Sequence, residues 1–212
     1  AEHQPGLHAS GLNASMVIQG AQSKPVRQLF AASRSFYHQH AGATGFNQTG
    51  SLMLGSSALL EELQDPELFD SEIRSPAQTR RQIPLLEGHS FEGALWTPSD
   101  GVMNIRRLLH YYIETASRRG VTFRYNLGVR QIRCGRRFEV STTGGPISAG
   151  RVINAAGAWS GRVGQSAGAS AIPLRAFKRH LFVLKSQVLS GGRMKAGGVL
   201  FADTTAVFDG GT

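Results

Sequence analysis

Few side chains in this sequence stand at a spacing that does chemistry unaided. Gly164-Gln165-Ser166-Ala167-Gly168 matches G-x-S-x-G, the turn that lifts a serine nucleophile off a strand, but that turn needs a strand before the serine and a helix after it. Here the pattern predicts helix before Ser166, and Pro173 follows closely, which argues against a serine hydrolase. His38 and His40 are spaced to share one face of a strand, yet no cysteine and few carboxylates stand near them; a polar helix end is the better reading than a metal site. Cys134 is the sole cysteine, which excludes an internal disulfide and any zinc site built on paired thiolates, and fits a reducing, cytoplasmic setting. The 26 glycines say more, because without a collagen period they call for tight turns or close backbone approaches, as nucleotide-binding folds require. No G-x-G-x-x-G occurs, so a pyrophosphate-binding strand and turn, if the protein has them, lie before Ala1.

The elements that must position such residues follow from periodicity. After Pro25 the residues Val26, Leu29, Phe30, Ser33, Phe36 and Tyr37 recur at three and four, predicting a helix to Tyr37. Strands are expected over 51–54 and 94–96, a helix over 58–63, and a turn at Pro98-Ser99-Asp100-Gly101. Ile105, Leu108, Leu109, Tyr112, Ile113 and Ala116 share one helical face, capped by Asn104 or Asp100 and closed by Arg118-Arg119-Gly120. Val121, Phe123 and Tyr125 then alternate as in a strand, Val129 to Ile132 and Phe138 to Thr142 form further strands, and 151–157 reads as a buried strand ending on a glycine turn. A helical turn is expected from Trp159, and strands over 179–184 and 199–201. Helix, strand, short antiparallel excursion, buried strand and glycine turn together imply an α/β nucleotide-binding sheet.

With 41% hydrophobic residues in 212, the chain can bury a core and is not disordered. No run of about 18 apolar residues marks a membrane-spanning helix. The net charge of +9 is concentrated between Gly101 and Arg151, where ten arginines face only Glu114 and Glu139. They fall singly or in pairs on different elements, without interleaved aromatics, which describes a solvated surface and not a nucleic-acid site. Acid gathers in Glu61, Glu62, Asp65, Glu67, Asp70 and Glu72.

Three segments carry more when taken together: residues 2–15, Glu2-His3-Gln4-Pro5-Gly6-Leu7-His8-Ala9-Ser10-Gly11-Leu12-Asn13-Ala14-Ser15; residues 93–101 with the following helix and strand to Val129; and Val152-Ile153-Asn154-Ala155-Ala156-Gly157-Ala158-Trp159-Ser160. In this order and spacing they resemble the D-amino-acid oxidase and glycine oxidase family of FAD-dependent oxidoreductases, above all its amino-acid dehydrogenase branch. The resemblance covers nearly the whole chain. It implies a Rossmann-like FAD-binding domain, residues 1–45 and 99–168, interleaved with an antiparallel substrate domain, residues 46–98 and 169–212, both incomplete. The chain is therefore expected to be the middle of a protein of roughly 350 to 400 residues.

The resemblance also implies roles. A family glutamate binds the adenosine ribose; Glu2 is one candidate for it and a residue before Ala1 the other. Ser10, Gly11, Asn13 and Ala14 match the loop that passes under the pyrophosphate, where small residues allow close approach and hydroxyls or amides donate. Many relatives have arginine where this chain has Leu12. Val129 matches the residue whose backbone meets the adenine edge; Ala155, Ala156 and Gly157 match the strand exit beside the cofactor, with Trp159 packed there. His8 matches a histidine beside the flavin, and in another branch a histidine in a similar phrase bonds the flavin covalently; noncovalent FAD is the favoured reading. Arg179, with Lys178 next, would hold a substrate carboxylate in two hydrogen bonds. Near Asp203, where the family often supplies a tyrosine, this chain has Ala206, Val207 and Phe208. The implied activity is oxidation of a small-molecule amine or amino acid by hydride transfer to flavin; a 2-hydroxy-acid or glycerol-phosphate dehydrogenase and a noncatalytic subunit are the alternatives, and the electron acceptor is left open.

Overall fold

The computed structural model describes residues 2–21 and 23–177. The strands expected over 179–184 and 199–201 lie outside these described residues, as do Lys178 and Arg179. The described residues form two compact units, one of residues 14–116 and one in which residues 2–13 join residues 117–177.

The 14–116 unit runs β1 (Met16–Val17), α1 (Lys24–Gln39), α2 (Ala41–Thr44), β2 (Phe46–Gln48), β3 (Ser51–Gly55), α3 (Ser57–Leu63), β4 (Glu72–Arg74), α4 (Pro76–Gln82), β5 (Gly93–Thr97), β6 (Gly101–Met103) and most of α5 (Ile105–Arg118). Its strands form two three-stranded antiparallel sheets, β1-β6-β2 and β3-β5-β4. The turn at 98–100 carries the chain from one to the other. Local chemistry accounts for the helix starts. Pro25 stands in the first turn of α1, where its missing N–H costs nothing; Ser75 and Gln78 close a capping box on α4; and the Asn104 side chain accepts from Arg107 N at 3.1 Å to cap α5. Of the two expected caps for α5, Asn104 serves and Asp100 is drawn inward. Leu60 and Leu63, one turn apart on α3, and Leu95 of β5 form the core at no more than 2% exposure, flanked by Met53 and Leu59. Each such leucine contributes about 1.5–3 kcal/mol by leaving water.

In the other unit β7 (Val129–Cys134), β8 (Phe138–Thr142) and β9 (Gly145–Ala149) form an antiparallel meander. Ile132 pairs with Val140 and Val140 with Ile147, so one face is apolar while Gln131, Arg133, Glu139, Ser141 and Ser148 are exposed on the other. A 3-10 turn (Gly157–Trp159) leads into α6 (Ser160–Ser166), which packs against β7. Two expected strands are not formed among the described residues. Val121, Phe123 and Tyr125 are exposed and outside any ladder; 151–156 is likewise outside any ladder, exposed over 151–155, with Ile153 at 90%. A strand exists only against a hydrogen-bonding neighbour, and no described segment pairs with either in a ladder; every strand pair among the described residues is antiparallel.

All ten arginines of the basic stretch are exposed, the solvated surface expected of them. Of the acidic run, Asp65 is buried against Arg27, while Glu61, Glu62, Glu67, Asp70 and Glu72 are exposed. Among the described residues no helix is long and apolar enough to cross a membrane.

Candidate functional site

The expected site residues of the second unit fall on two stretches, the loop over 2–13 and the exit after 151–156. The loop is a chain of turns. Gly11 N and Leu12 N both donate to His8 O, at 2.9 and 3.0 Å, and the Asn13 side-chain amide donates to Ala9 O and Ser10 O at 3.2 and 3.0 Å. A Cβ on Gly11 would fall 1.8 Å from Gly6 O, so glycine is required there by the loop's own closure. Ser10, Gly11 and Asn13 are exposed on it, and Ala14, half-buried, begins the other unit.

At the exit, Asn154 organises the backbone: its Oδ1 accepts from Ala156 N at 3.3 Å and its Nδ2 donates to Ser160 O at 2.8 Å. This side-chain-to-backbone closure delivers Gly157 at φ +55, with open space where a Cβ would stand. Ala155 is exposed and Ala156 half-buried. Val129, exposed at the head of β7, pairs with Thr142.

Glu2, His8 and Trp159, from distant positions in the sequence, meet. His8 Nε2 lies 3.7 Å from Glu2 Oε1, and the His8 and Trp159 rings meet edge to face with centroids 5.2 Å apart. Glu2 is tied further by Leu7 N, which donates to Oε2 at 3.3 Å, and by Asn126 N, which donates to its carbonyl at 2.8 Å. An exposed hydroxyl, exposed small residues and two aromatic rings therefore lie on two stretches of one unit.

The 14–116 unit holds a second polar cluster that sequence reasoning missed. Asp100 is fully buried. Its Oδ1 accepts from Gln19 N and Gln19 Nε2 at 3.0 and 2.9 Å, and its Oδ2 from Ser51 Oγ at 2.6 Å. Burial pushes its carboxyl above the usual range, while the hydrogen bonds from Ser51 and Gln19 oppose that shift. Gln19 Nε2 also donates to Ser99 Oγ at 2.6 Å, and Gln19 Oε1 has no hydrogen-bond partner among the described residues. The sequence signal is the turn at 98–101, where Asp100 reads as a turn residue or a helix cap. Arg27 and Asp65, paired at 3.1 Å with both side chains about nine-tenths buried, gave no such signal.

Comparison with known proteins adds three findings. The family model described as "DAO: FAD dependent oxidoreductase" matches residues 1–208. Among curated proteins the chain is 29% identical to mitochondrial sarcosine dehydrogenase of Mus musculus over 170 residues, covering 74% of this chain and 18% of that protein. It is 30% identical to the mitochondrial pyruvate dehydrogenase phosphatase regulatory subunit of the same organism over 166 residues, covering 71% of this chain and 19% of that protein. The chain thus spans about a fifth of the curated relatives it matches. Among solved structures, glycine oxidase from Geobacillus kaustophilus superposes with a TM-score of 0.64 at 22% identity, over 76% of this chain and 49% of that one; the mixed helical and antiparallel fold is shared with it.

Proposed function

This chain belongs to the DAO family of FAD-dependent oxidoreductases, and from that premise we propose that the protein it comes from oxidises an amine or amino acid of the glycine, sarcosine or D-amino-acid type. When bound, FAD supplies the hydride acceptor for the substrate's Cα hydrogen. This chain's residues hold and orient. Ser10 and Asn13 would donate toward phosphate, Gly11, Ala14, Ala155, Ala156 and Gly157 would keep the backbone bare for close approach, Val129 would meet the adenine edge, and Trp159 with His8 would flank the ring system. Arg179 fixes the substrate carboxylate through its planar guanidinium. Residues 1–45 and 99–168 serve the cofactor, and 46–98 and 169–212 the substrate.

The observation that carries this reading is the family match over almost the full chain. The exposed small residues, hydroxyl and rings of the loop and exit fit a flavin nucleotide in kind, with bare backbone where bulky side chains would exclude it. Two side chains are already engaged, the Asn13 amide by Ala9 O and Ser10 O and the Glu2 carboxylate by Leu7 and His8, so Asn13 could serve the phosphate, and Glu2 the ribose, only by releasing them. A small-molecule amine is the partner proposed, and a cytoplasmic setting is kept; the sarcosine dehydrogenase relative is named as mitochondrial, and fractionation of the full-length protein decides between them.

The test is anaerobic spectroscopy of the full-length protein. A yellow protein whose flavin band bleaches with sarcosine, glycine or a D-amino acid supports the reading; a folded protein that stays colourless after FAD reconstitution refutes it. The likeness to a protein named as a regulatory subunit favours one second reading, a noncatalytic subunit that keeps the fold. It requires bound FAD, or none, with no bleaching by amines or hydroxy acids.

A further inference from the structure

Glu2 stands where the resemblance allows a ribose-binding acid, yet the unit uses it differently. Its Oε2 takes the Leu7 N–H and its carbonyl takes the Asn126 N–H, the latter from a residue held at φ +56, a conformation uncommon outside glycine. Two main-chain ties therefore fix where the second oxygen points. That oxygen, Oε1, faces His8 Nε2 at 3.7 Å, with side-chain exposures of 32% for Glu2 and 57% for His8. A pair this open contributes little to stability, so holding the fold together is a poor account of it.

Its effect on orientation is larger. An imidazole on a loop of turns has several staggered rotamers open to it; a carboxylate at one nitrogen and the Trp159 indole against the ring select one of them. The two imidazole nitrogens are distinct, and the partner of one decides what the other can do. With Nε2 turned to Glu2, Nδ1 is left without a protein partner among the described residues, on a side chain more than half exposed.

We propose that Glu2 is a positioning residue for His8: its carboxylate, tied by Leu7 N–H on a main chain that Asn126 N–H anchors, holds the ring against Trp159 so that Nδ1 is the nitrogen presented to the cofactor or substrate. The use of that nitrogen rests on the functional reading above; the positioning itself does not.

The experiment uses full-length protein with selectively ¹³C-labelled histidine, His8 assigned through His8→Asn, and reads the displacement of the His8 ring-proton resonances by the Trp159 ring current. Trp159→Phe identifies that displacement. Glu2→Gln keeps the size and an oxygen acceptor for Leu7 N–H but removes the charge facing His8, whereas Glu2→Ala removes both. The expected result is that Glu2→Gln loses most of the displacement while the Leu7 amide resonance stays in place, and Glu2→Ala loses the displacement and moves that amide as well. An unchanged His8 displacement in Glu2→Gln, with loss only in Glu2→Ala, would show a merely structural tie to Leu7 and overturn the proposal, as would a wild-type His8 with no ring-current displacement. FAD titration of the same samples separates the two readings: wild type that shows the expected His8 behaviour but binds no FAD retains the positioning and refutes the flavoprotein.

Discussion

Removing the buried carboxylate at the turn between β5 and β6 tests the polar architecture most sharply. In Asp100→Ala three donors lose their acceptor, but unequally. Ser51 Oγ can rotate toward other acceptors, and Gln19 Nε2 keeps Ser99 Oγ at 2.6 Å, so Gln19 N is the group left fully stranded, in a residue 2% exposed. One stranded donor and a partly stranded second, at about 1–3 kcal/mol for each unsatisfied buried group, give a loss of about 3 kcal/mol. Asp100→Asn should behave quite differently. Its carbonyl oxygen can replace Oδ1 toward Gln19, and its amide can donate to Ser51 Oγ, which accepts as readily as it donates; the cost should stay within about 1 kcal/mol.

The two proteins should also diverge with pH. Burial raises the Asp100 carboxyl above its ordinary 3.8, so the folded state binds this proton more tightly than the unfolded state does. The resulting stabilisation is fully present below pH 3.8 and is lost as pH rises through the raised folded value. The asparagine variant lacks that dependence, so its stability relative to wild type should improve from acid toward neutral pH. Urea unfolding of the full-length protein, followed by the fluorescence of Trp96 on β5 at several pH values, reads both effects. The reasoning fails if Asp100→Ala and Asp100→Asn are equally destabilised, or if the difference between wild type and Asp100→Asn does not change with pH.

Two further perturbations follow from the same structure. Arg27→Met strands the Asp65 carboxylate, about nine-tenths buried, and should cost roughly 3–5 kcal/mol, whereas Arg27→Met with Asp65→Leu should recover most of that loss; a double variant no better than the single would contradict it in the same urea assay. Gly11→Ala drives a Cβ to 1.8 Å from Gly6 O, which the loop can relieve only by opening. Calorimetric titration of the full-length protein should then show FAD affinity falling at least about tenfold while stability changes by less than about 1 kcal/mol, and unaltered FAD affinity would remove this loop from the cofactor site.

What could be read from the sequence was local, and what could not be read depended on partners far along the chain. The helices α1, α3 and α5 were visible because apolar spacing, a first-turn proline and a capping asparagine all act within a few residues. β3 and β5 were visible too, as short apolar runs between turn residues, although nothing in either run names the other as its partner. The segments 121–125 and 151–156 have the composition of strands and are not strands among the described residues, because a ladder requires a neighbour that composition cannot supply. The same distinction governs the polar residues. Asp100 and Asp65 look alike in sequence, an acid in a turn and an acid in an acidic run, and both are buried because Gln19 and Arg27, 81 and 38 residues away, reach them.

For the candidate site the distinction works in the opposite direction. The phrase around His8 and the phrase around Trp159 could each be noticed only as a phrase, and a strand exit or a surface loop explains either one alone. Their meeting, with the Trp159 ring on His8 and Glu2 behind it, is a nonlocal fact that neither phrase contains. It ties residues chosen for one expected role to a definite geometry. A carboxylate that a neighbouring N–H group holds in place, on a main chain itself anchored, can orient another side chain without reorganising when a ligand arrives, which is the property a preorganised site needs from the residues behind its first contacts.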